Sequence, residues 1–401
     1  MASANRFSGA ATSADVIVEA AIAAARDVGI SGLTGRIVAE YARASPSAIN
    51  YRFGNIDGLY QAIHEALNRY SALWCTEQLA SLTDDRCEFL SISGVVAGFV
   101  NDLAQEARRF ALLLQELREI HAYQICDFGM LPHEEWAARS AFFKAVVARF
   151  SHAKDWPEIW HLFAEGSITY AFSDAEASYR TAWLSTLAQR LEARLTRGVI
   201  ALKPWIPDAP PIDFSLPELP AWPDGKVRIV EATLRLIGRI GISQVTHRRV
   251  AEEAGLSLAA TTYFFTSKEE LIQTAFQYLH MNTALKAEDA NRDQGTHYAD
   301  TMLTPEGELR WEIGAYRALS HAAIHNPSLQ PLVNSLRWRG HGSAKWLRRR
   351  GIDGIDRIDG LVWSILAGGI VQRAMLLAPQ ERRGYLDSVS RRMLQALYGV
   401  S

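Results

Sequence analysis

A chain that carries the same segment twice is constrained to build the same small unit twice. Residues 45–53 read SPSAINYRF and residues 257–265 read SLAATTYFF, a constant offset of 212 residues. At that offset Ile17-Val18-Glu19-Ala20 matches Ile229-Val230-Glu231-Ala232, and Gly29-Ile30-Ser31 matches Gly241-Ile242-Ser243. Val38-Ala39-Glu40 matches Val250-Ala251-Glu252, while Thr34, Arg36 and Leu59 recur as Thr246, Arg248 and Leu271. Eighteen of 43 aligned positions agree without a gap, far more than chance supplies. The 401 residues exceed what one ordinary core holds and leave room for two or three domains.

Between the copies, residues 201–225 hold seven of the chain's 14 prolines. Proline fixes φ and removes a backbone donor, so this stretch reads as a semi-rigid extended strap. Trp205, Phe214 and Trp222 point to packing along a surface. Elsewhere apolar residues recur at three- and four-residue spacing, as in DVIVEAAIAAARDV over 15–28, which Gly29 then ends. Long amphipathic runs follow at 56–80, 95–125, 134–152, 156–172 and 175–197, and again at 268–285, 305–325, 328–349, 356–377 and 380–398. No alternating strand pattern of useful length appears, so the expected fold is all-α. A weaker likeness 203 residues apart pairs Trp160, Ala164 and Gly166 with Trp363, Ala367 and Gly369, and fits either homology or shared helical composition.

A formal net charge of −2 and a pI near 6.6 provide no global attraction for nucleic acid, so any such binding rests on local patches. The three cysteines, Cys75, Cys87 and Cys126, lack metal-ligand spacing and suit a reducing, cytoplasmic setting. No secretory signal opens the chain and no run of apolar residues is long enough to span a membrane. His121, His133, His152 and His161 show no ligand motif, and no phosphate loop, nucleophile elbow or paired-cysteine motif is present. The expectation is a non-enzyme with no cofactor, no metal and no membrane partner.

After each capping glycine the sequence reads as two short helices joined by a tight turn. In the second copy Thr246 caps one helix, Gly255 takes the left-handed turn, and Ser257 caps the next. That order is a helix-turn-helix, whose second helix enters the major groove. At about 100° per residue, Ser47, Asn50 and Tyr51 share one arc of the first recognition helix, away from Ile49 and Phe53. Their equivalents are Ala259, Thr262 and Tyr263, away from Thr261 and Phe265.

AGLSLAATTYFFTSKEELI, residues 254–272, resembles the signature of TetR-family transcriptional regulators, and ARASPSAINYRFGNIDGLY, residues 42–60, repeats the pattern with departures. The likeness covers about fifty residues of each half, and the whole chain is similar to tandem, single-chain members of that family. It implies that Thr34, Arg36, Ser45, Tyr51 and Arg52, with Thr246, Arg248, Ser257, Tyr263 and Lys268, contact phosphates. Ser47 and Asn50, with Ala259 and Thr262, are then the candidates for base edges. Hydroxyls and cations suit phosphates, asparagine suits adenine, and alanine or threonine suits a thymine methyl. The first copy departs at Arg43, which replaces the turn glycine, at Pro46 in the first helical turn, and at Ile56, which replaces Lys268.

The segmentation expected is a disordered tail (1–13), a first helix-turn-helix domain (14–60), a first helical effector/dimerisation domain (61–200), the linker (201–225), a second helix-turn-helix domain (226–272) and a second effector/dimerisation domain (273–401). The resemblance implies that the last two long helices of each half pack as one four-helix interface, an intrachain pseudo-dimer open to further self-association. Trp136, Phe143, Trp160, Phe163 and Tyr170, with Trp311, Tyr316 and Trp363, are first of all core, and part of this stripe is the candidate lining of a pocket for an apolar or aromatic effector. The basic run WLRRRG over 346–351 reads as a solvated helix face or as a dock for an anionic effector, and GIDGIDRIDG over 351–360 as a turn leading into a helix. The function expected is a ligand-responsive regulator, a repressor, on double-stranded operator DNA that is non-palindromic or imperfectly palindromic. The alternatives are a helical adaptor with decayed DNA modules and an enzyme on a helical scaffold.

Overall fold

The computed structural model describes residues 13–82, 90–105, 107–122, 132–150, 156–173, 176–197, 221–289, 298–326, 329, 333 and 340–400. The tail through residue 12, most of the proline-rich stretch, Cys87, Cys126, His152 and residues 336–339 lie outside them. Apart from an isolated bridge between Leu303 and Leu309, regular structure among the described residues is helical, so the fold is all-α. Contacts divide the chain into two compact units, one of residues 1–78 with 106–139, the other of 79–105 with 140–401.

The first unit is built around α1 (Ser13–Val28), α2 (Gly35–Ala42), α3 (Pro46–Phe53), most of α4 (Ile56–Ser81) and α6 (Arg108–Ala122). Its core joins Ile17, Ala21 and Ile22 of α1 to Val38, Ile49, Ile63 and Leu67, and on the far side to Leu113, Leu114 and Leu117 of α6. Each such aliphatic side chain contributes about 1.5–3 kcal/mol when fully buried, so three short helices become stable only through this shared contact.

The second unit contains the second helix-turn-helix and the later helices of both halves. From the first half come α5 (Ile92–Gln105), the end of α7 (Pro132–Val147), α8 (Pro157–Ser173) and α9 (Ala177–Thr196). From the second half come α10 (Asp224–Ile240), α11 (His247–Ala254), α12 (Leu258–Phe264), α13 (Lys268–Asp289), α14 (Tyr298–Met302), α15 (Trp311–His325), α16 (Gly340–Arg349), α17 (Arg357–Met375) and α18 (Pro379–Tyr398). The run expected over 95–125 forms two helices, α5 and α6. The run expected from 305 starts only at Trp311, because Gly307 at φ +84° turns the chain and Thr304 N–H donates to Glu308 O at 2.8 Å. Of the strap's aromatic residues Trp222 is described: its ring stacks on Tyr278 at 5.8 Å, with the Lys226 ammonium 4.8 Å from its centre.

Helices α8 and α17 cross so closely that glycine is required on both. A Cβ on Gly166 would lie 1.9 Å from the Ile365 carbonyl oxygen, and one on Gly369 would lie 2.0 Å from that of Leu162. Leu162 and Ile365 are themselves 203 apart, so the weak repeat seen in sequence marks a reciprocal contact, residue for residue. The flanking helices repeat the relation. Arg190 of α9 reaches Asp359 in the first turn of α17 at 3.0 Å, and Arg392 of α18 reaches Glu158 in the first turn of α8 at 3.0 Å. Asp356 and Asp359 form a reciprocal capping box at the start of α17, so GIDGIDRIDG is the turn into a helix. Arg348 donates to Ile355 O and the Arg350 guanidinium lies 4.2 Å from the Trp346 ring centre, so two arginines of the basic run are engaged locally.

Candidate nucleic-acid interface

Two short helices, α3 and α12, are capped in the same way. Thr34 Oγ1 accepts the Ile37 N–H at 3.2 Å and Thr246 Oγ1 the Arg249 N–H at 3.3 Å. Ser45 accepts from Ala48 N–H at 3.2 Å, and Ser257 from Ala260 N–H at 3.1 Å. The turn between the helices is left-handed in both, at Gly255 (φ +63°) and at Arg43 (φ +51°). Glycine adopts that region freely, whereas an arginine there carries a strain of about 1 kcal/mol. Pro46 sits at the start of α3, where its missing N–H has no helical partner to lose.

The two faces of α3 and of α12 separate as periodicity requires. Ile49, Thr261 and Phe265 are buried and Phe53 is half-buried. Ser47 and Asn50, with Ala259 and Thr262, are exposed, and Tyr51 and Tyr263 stand 94% and 82% exposed. A tyrosine that projects this far into solvent is available to a partner. The Thr262 hydroxyl donates back to the Leu258 and Ala259 carbonyls at 3.1 Å, so its proton is already engaged within the helix.

Around these helices, Arg36 pairs with Glu40 at 3.5 Å and Arg248 with Glu252 at 3.1 Å, all well exposed. Exposed pairs of this kind hold about 0–1 kcal/mol and are easily exchanged for a phosphate. Arg52 is exposed in the last turn of α3. Lys268 is placed differently: it is half-buried, its Nζ donates to Ser243 O at 3.2 Å, and burial pushes its pKa down. Its first-copy counterpart Ile56 packs against the apolar core instead.

One pair escaped sequence reading. Arg239 of α10 meets Glu253 of α11 at 2.5 Å, joined by Arg235 at 3.0 Å. Burial alone would raise the Glu253 carboxyl, but the two guanidiniums outweigh it and hold the group below its ordinary value. The same two positions in the first copy are Asp27 and Tyr41, whose hydroxyl donates to Asp27 at 2.5 Å. Both positions changed while the contact was kept, a signal present in the aligned copies as two simultaneous mismatches.

Residues 229–275 match the family described as bacterial regulatory proteins, tetR family. They form a TetR-family DNA-binding domain. Two curated helix-turn-helix regulators are similar to the chain. The HTH-type transcriptional regulator BetI of Pectobacterium atrosepticum is 24% identical over 143 residues, 33% of this chain and 73% of that protein. The HTH-type nicotine-responsive transcriptional repressor HdnoR of Paenarthrobacter nicotinovorans is 40% identical over 52 residues, 13% of this chain and 27% of that protein. The chain therefore resembles helix-turn-helix regulators of transcription.

The aromatic residues expected near an effector occupy several places. Phe143, Trp160 and Phe163 are buried in the second unit, where Phe143 stacks on His161 at 5.3 Å and meets Phe99 edge-on at 5.2 Å. Tyr170 is half-buried on α8, and Trp136 is buried in the first unit. Trp311 and Tyr316 pack against the core of the TetR-family domain, and Trp363 stacks on Trp346 at 5.2 Å. Among the described residues no group of His, Cys, Asp or Glu is arranged to hold a metal ion, and no helix is long and apolar enough to cross a membrane.

Proposed function

We propose that the chain is a ligand-responsive repressor that reads an operator with two different recognition helices, one from each half of an intrachain pseudo-dimer. The observation that carries this reading is a contrast between the copies. Caps, turn and tyrosine are kept, at Ser45 and Ser257, Arg43 and Gly255, Tyr51 and Tyr263, while Ser47 is replaced by Ala259 and Asn50 by Thr262 at the outward positions. A homodimer presents one reading surface twice, whereas a duplicated chain is free to present two. Thr34, Arg36, Ser45, Tyr51 and Arg52 of the first copy, with Thr246, Arg248, Ser257, Tyr263 and Lys268 of the second, are the proposed phosphate contacts. Ser47, Asn50, Ala259 and Thr262 are the proposed base contacts. The reciprocal crossing of α8 and α17 supports the pseudo-dimer.

The effector is a small apolar or aromatic metabolite, held among the buried aromatic residues of the later helices, that shifts the population between DNA-competent and incompetent arrangements. The 52-residue match to the nicotine-responsive relative is the size of a DNA-binding domain and gives no reason to transfer that ligand. Selection from a random duplex pool tests the whole reading. An enriched motif with two unlike halves is expected, two identical inverted half-sites would remove the asymmetry, and no enrichment would favour a helical adaptor.

A further inference from the structure

The two halves tie their readers to the helix behind them by different chemistry. In the second half α10 crosses α15 at glycines. A Cβ on Gly238 would lie 2.2 Å from the Trp311 carbonyl oxygen, and one on Gly314 would lie 2.4 Å from the Gly238 carbonyl oxygen. The backbones are therefore in direct contact, and Ala315, Ala318 and Leu319 extend the seam into the core of the reader. At the register of Gly238 the first half has Arg26, whose side chain has no place in such a crossing.

In the first half α6 meets its reader through Leu113, Leu114, Leu117 and Ile120, and through one buried carboxylate. Glu116 is 6% exposed, and its Oε2 accepts the Ile30 backbone N–H at 2.7 Å. Ile30 follows Gly29 (φ +73°) and opens the single 3-10 turn, Ile30–Gly32, that sets the angle between α1 and α2. The Tyr60 hydroxyl donates to the carbonyl of the same residue at 2.9 Å, so both backbone polar groups of Ile30 are held by side chains. Among the described residues no carboxylate accepts the N–H of Ile242, the counterpart in the second half.

We propose that Glu116 is the positioning residue of the first reader, an inference that rests on the DNA-reading function above. A hydrogen bond to a carboxylate is strong but directional, so a rotation or slide of α6 makes or breaks it. A close-packed glycine crossing has no such partial state and carries its reader as one body with α15. The first reader is the adjustable one, and the second is the fixed reference.

The test measures amide exchange at Ile30 and Ile242, together with a nucleotide-resolution footprint on the duplex that the intact protein selects. Half-sites are assigned beforehand with Asn50→Ala. Glu116→Leu is expected to speed exchange at Ile30 by on the order of tenfold to a hundredfold, the factor for a lost hydrogen bond to a charged group, with Ile242 unchanged. Footprint protection is expected to fall at the first reader's half-site alone. Glu116→Gln keeps an acceptor oxygen and is expected to change exchange at Ile30 only a few-fold and to retain both half-sites. Unchanged exchange at Ile30 in the leucine variant, or equal loss at both half-sites, overturns the proposal. If the leucine variant does not fold, the glutamine variant decides: a few-fold change at Ile30 alone supports the positioning role, and no change or a change at both amides refutes it. Failure of the intact protein to select any duplex would instead count against the DNA-reading function, and the two exchange rates would still decide the role of Glu116.

Discussion

Gly166 and Gly369 meet each other's helix in a reciprocal contact, with virtual Cβ atoms 1.9 Å from the Ile365 carbonyl oxygen and 2.0 Å from the Leu162 carbonyl oxygen. Backbone oxygen atoms cannot swing aside as a side chain can. Gly166→Ala and Gly369→Ala are each expected to lower stability by about 2–4 kcal/mol in urea unfolding, because the two helices must move apart. Gly368→Ala is the internal control. Its Cβ would lie 3.7 Å from Gly166 Cα, an ordinary contact, so a change below about 1 kcal/mol is expected. Equal midpoints for all three variants would show that the crossing does not hold the helices together.

Asp359 anchors the ion cluster between α9 and α17, with Arg194 at 2.7 Å, Arg190 at 3.0 Å, Asp356 in the same capping box and Tyr398 close to the arginines. Burial alone would raise its carboxyl, but the hydrogen bonds from Arg194 and the Asp356 backbone and the two positive charges outweigh it, so the pKa is lowered. A group depressed in the folded state contributes stability that is complete above its unfolded pKa of about 4 and is lost as pH falls through the folded value. Asp359→Asn is expected to cost about 2–4 kcal/mol at pH 7, with the gap to the parent closing only below about pH 4. A gap of constant size down to pH 3 would mean that the charge of Asp359 is not what stabilises the cluster.

Arg43 occupies the left-handed turn that Gly255 fills in the second copy. Arg43→Gly is expected to stabilise the protein by about 0.5–1 kcal/mol by relieving that strain. If Arg43 also supplies the phosphate contact that Ile56 cannot, the same variant binds duplex more weakly and lowers the salt slope by about one. A more stable protein with an unchanged salt slope would leave Arg43 without a role on DNA.

Asn50 and Thr262 hold matched outward positions with different chemistry. Asn50→Ala removes a donor and an acceptor and is expected to cost about 1–3 kcal/mol of discrimination at one half-site. Thr262→Val is expected to leave the other half-site nearly unchanged, because the hydroxyl proton is already engaged by the Leu258 and Ala259 carbonyls and valine keeps the methyl group. A large loss for the valine variant, read by competition binding against single-base substitutions, would put the hydroxyl on a base and refute the methyl contact.

The helix-turn-helix was legible because its signals are local. Ser45, Ser257, Thr34 and Thr246 lie three residues before the N–H groups they cap, and Ile49, Thr261 and Phe265 fall inside by rotation about a single helix axis. The partners of Glu116, Gly238 and Asp359 were not legible. Ile30 lies 86 positions from Glu116, Trp311 lies more than seventy from Gly238, and Arg194 lies 165 from Asp359. Periodicity marks Glu116 only as a carboxylate on a helix.

Sequence by itself determined the local pattern: helical periodicity outside the proline-rich stretch, a duplication at an offset of 212, and in each copy a capped short helix whose outward residues differ. Those properties follow from backbone capping, helical period and side-chain chemistry, which act within one or two turns. Tertiary structure alone decided what each copy packs against. It turned the faint 203-residue echo into the reciprocal contact of Gly166 and Gly369, and it gave the first three-helix unit a carboxylate and the second a glycine seam. Both outcomes depend on which backbones approach closely enough to exclude a Cβ, a distance that no local rule carries.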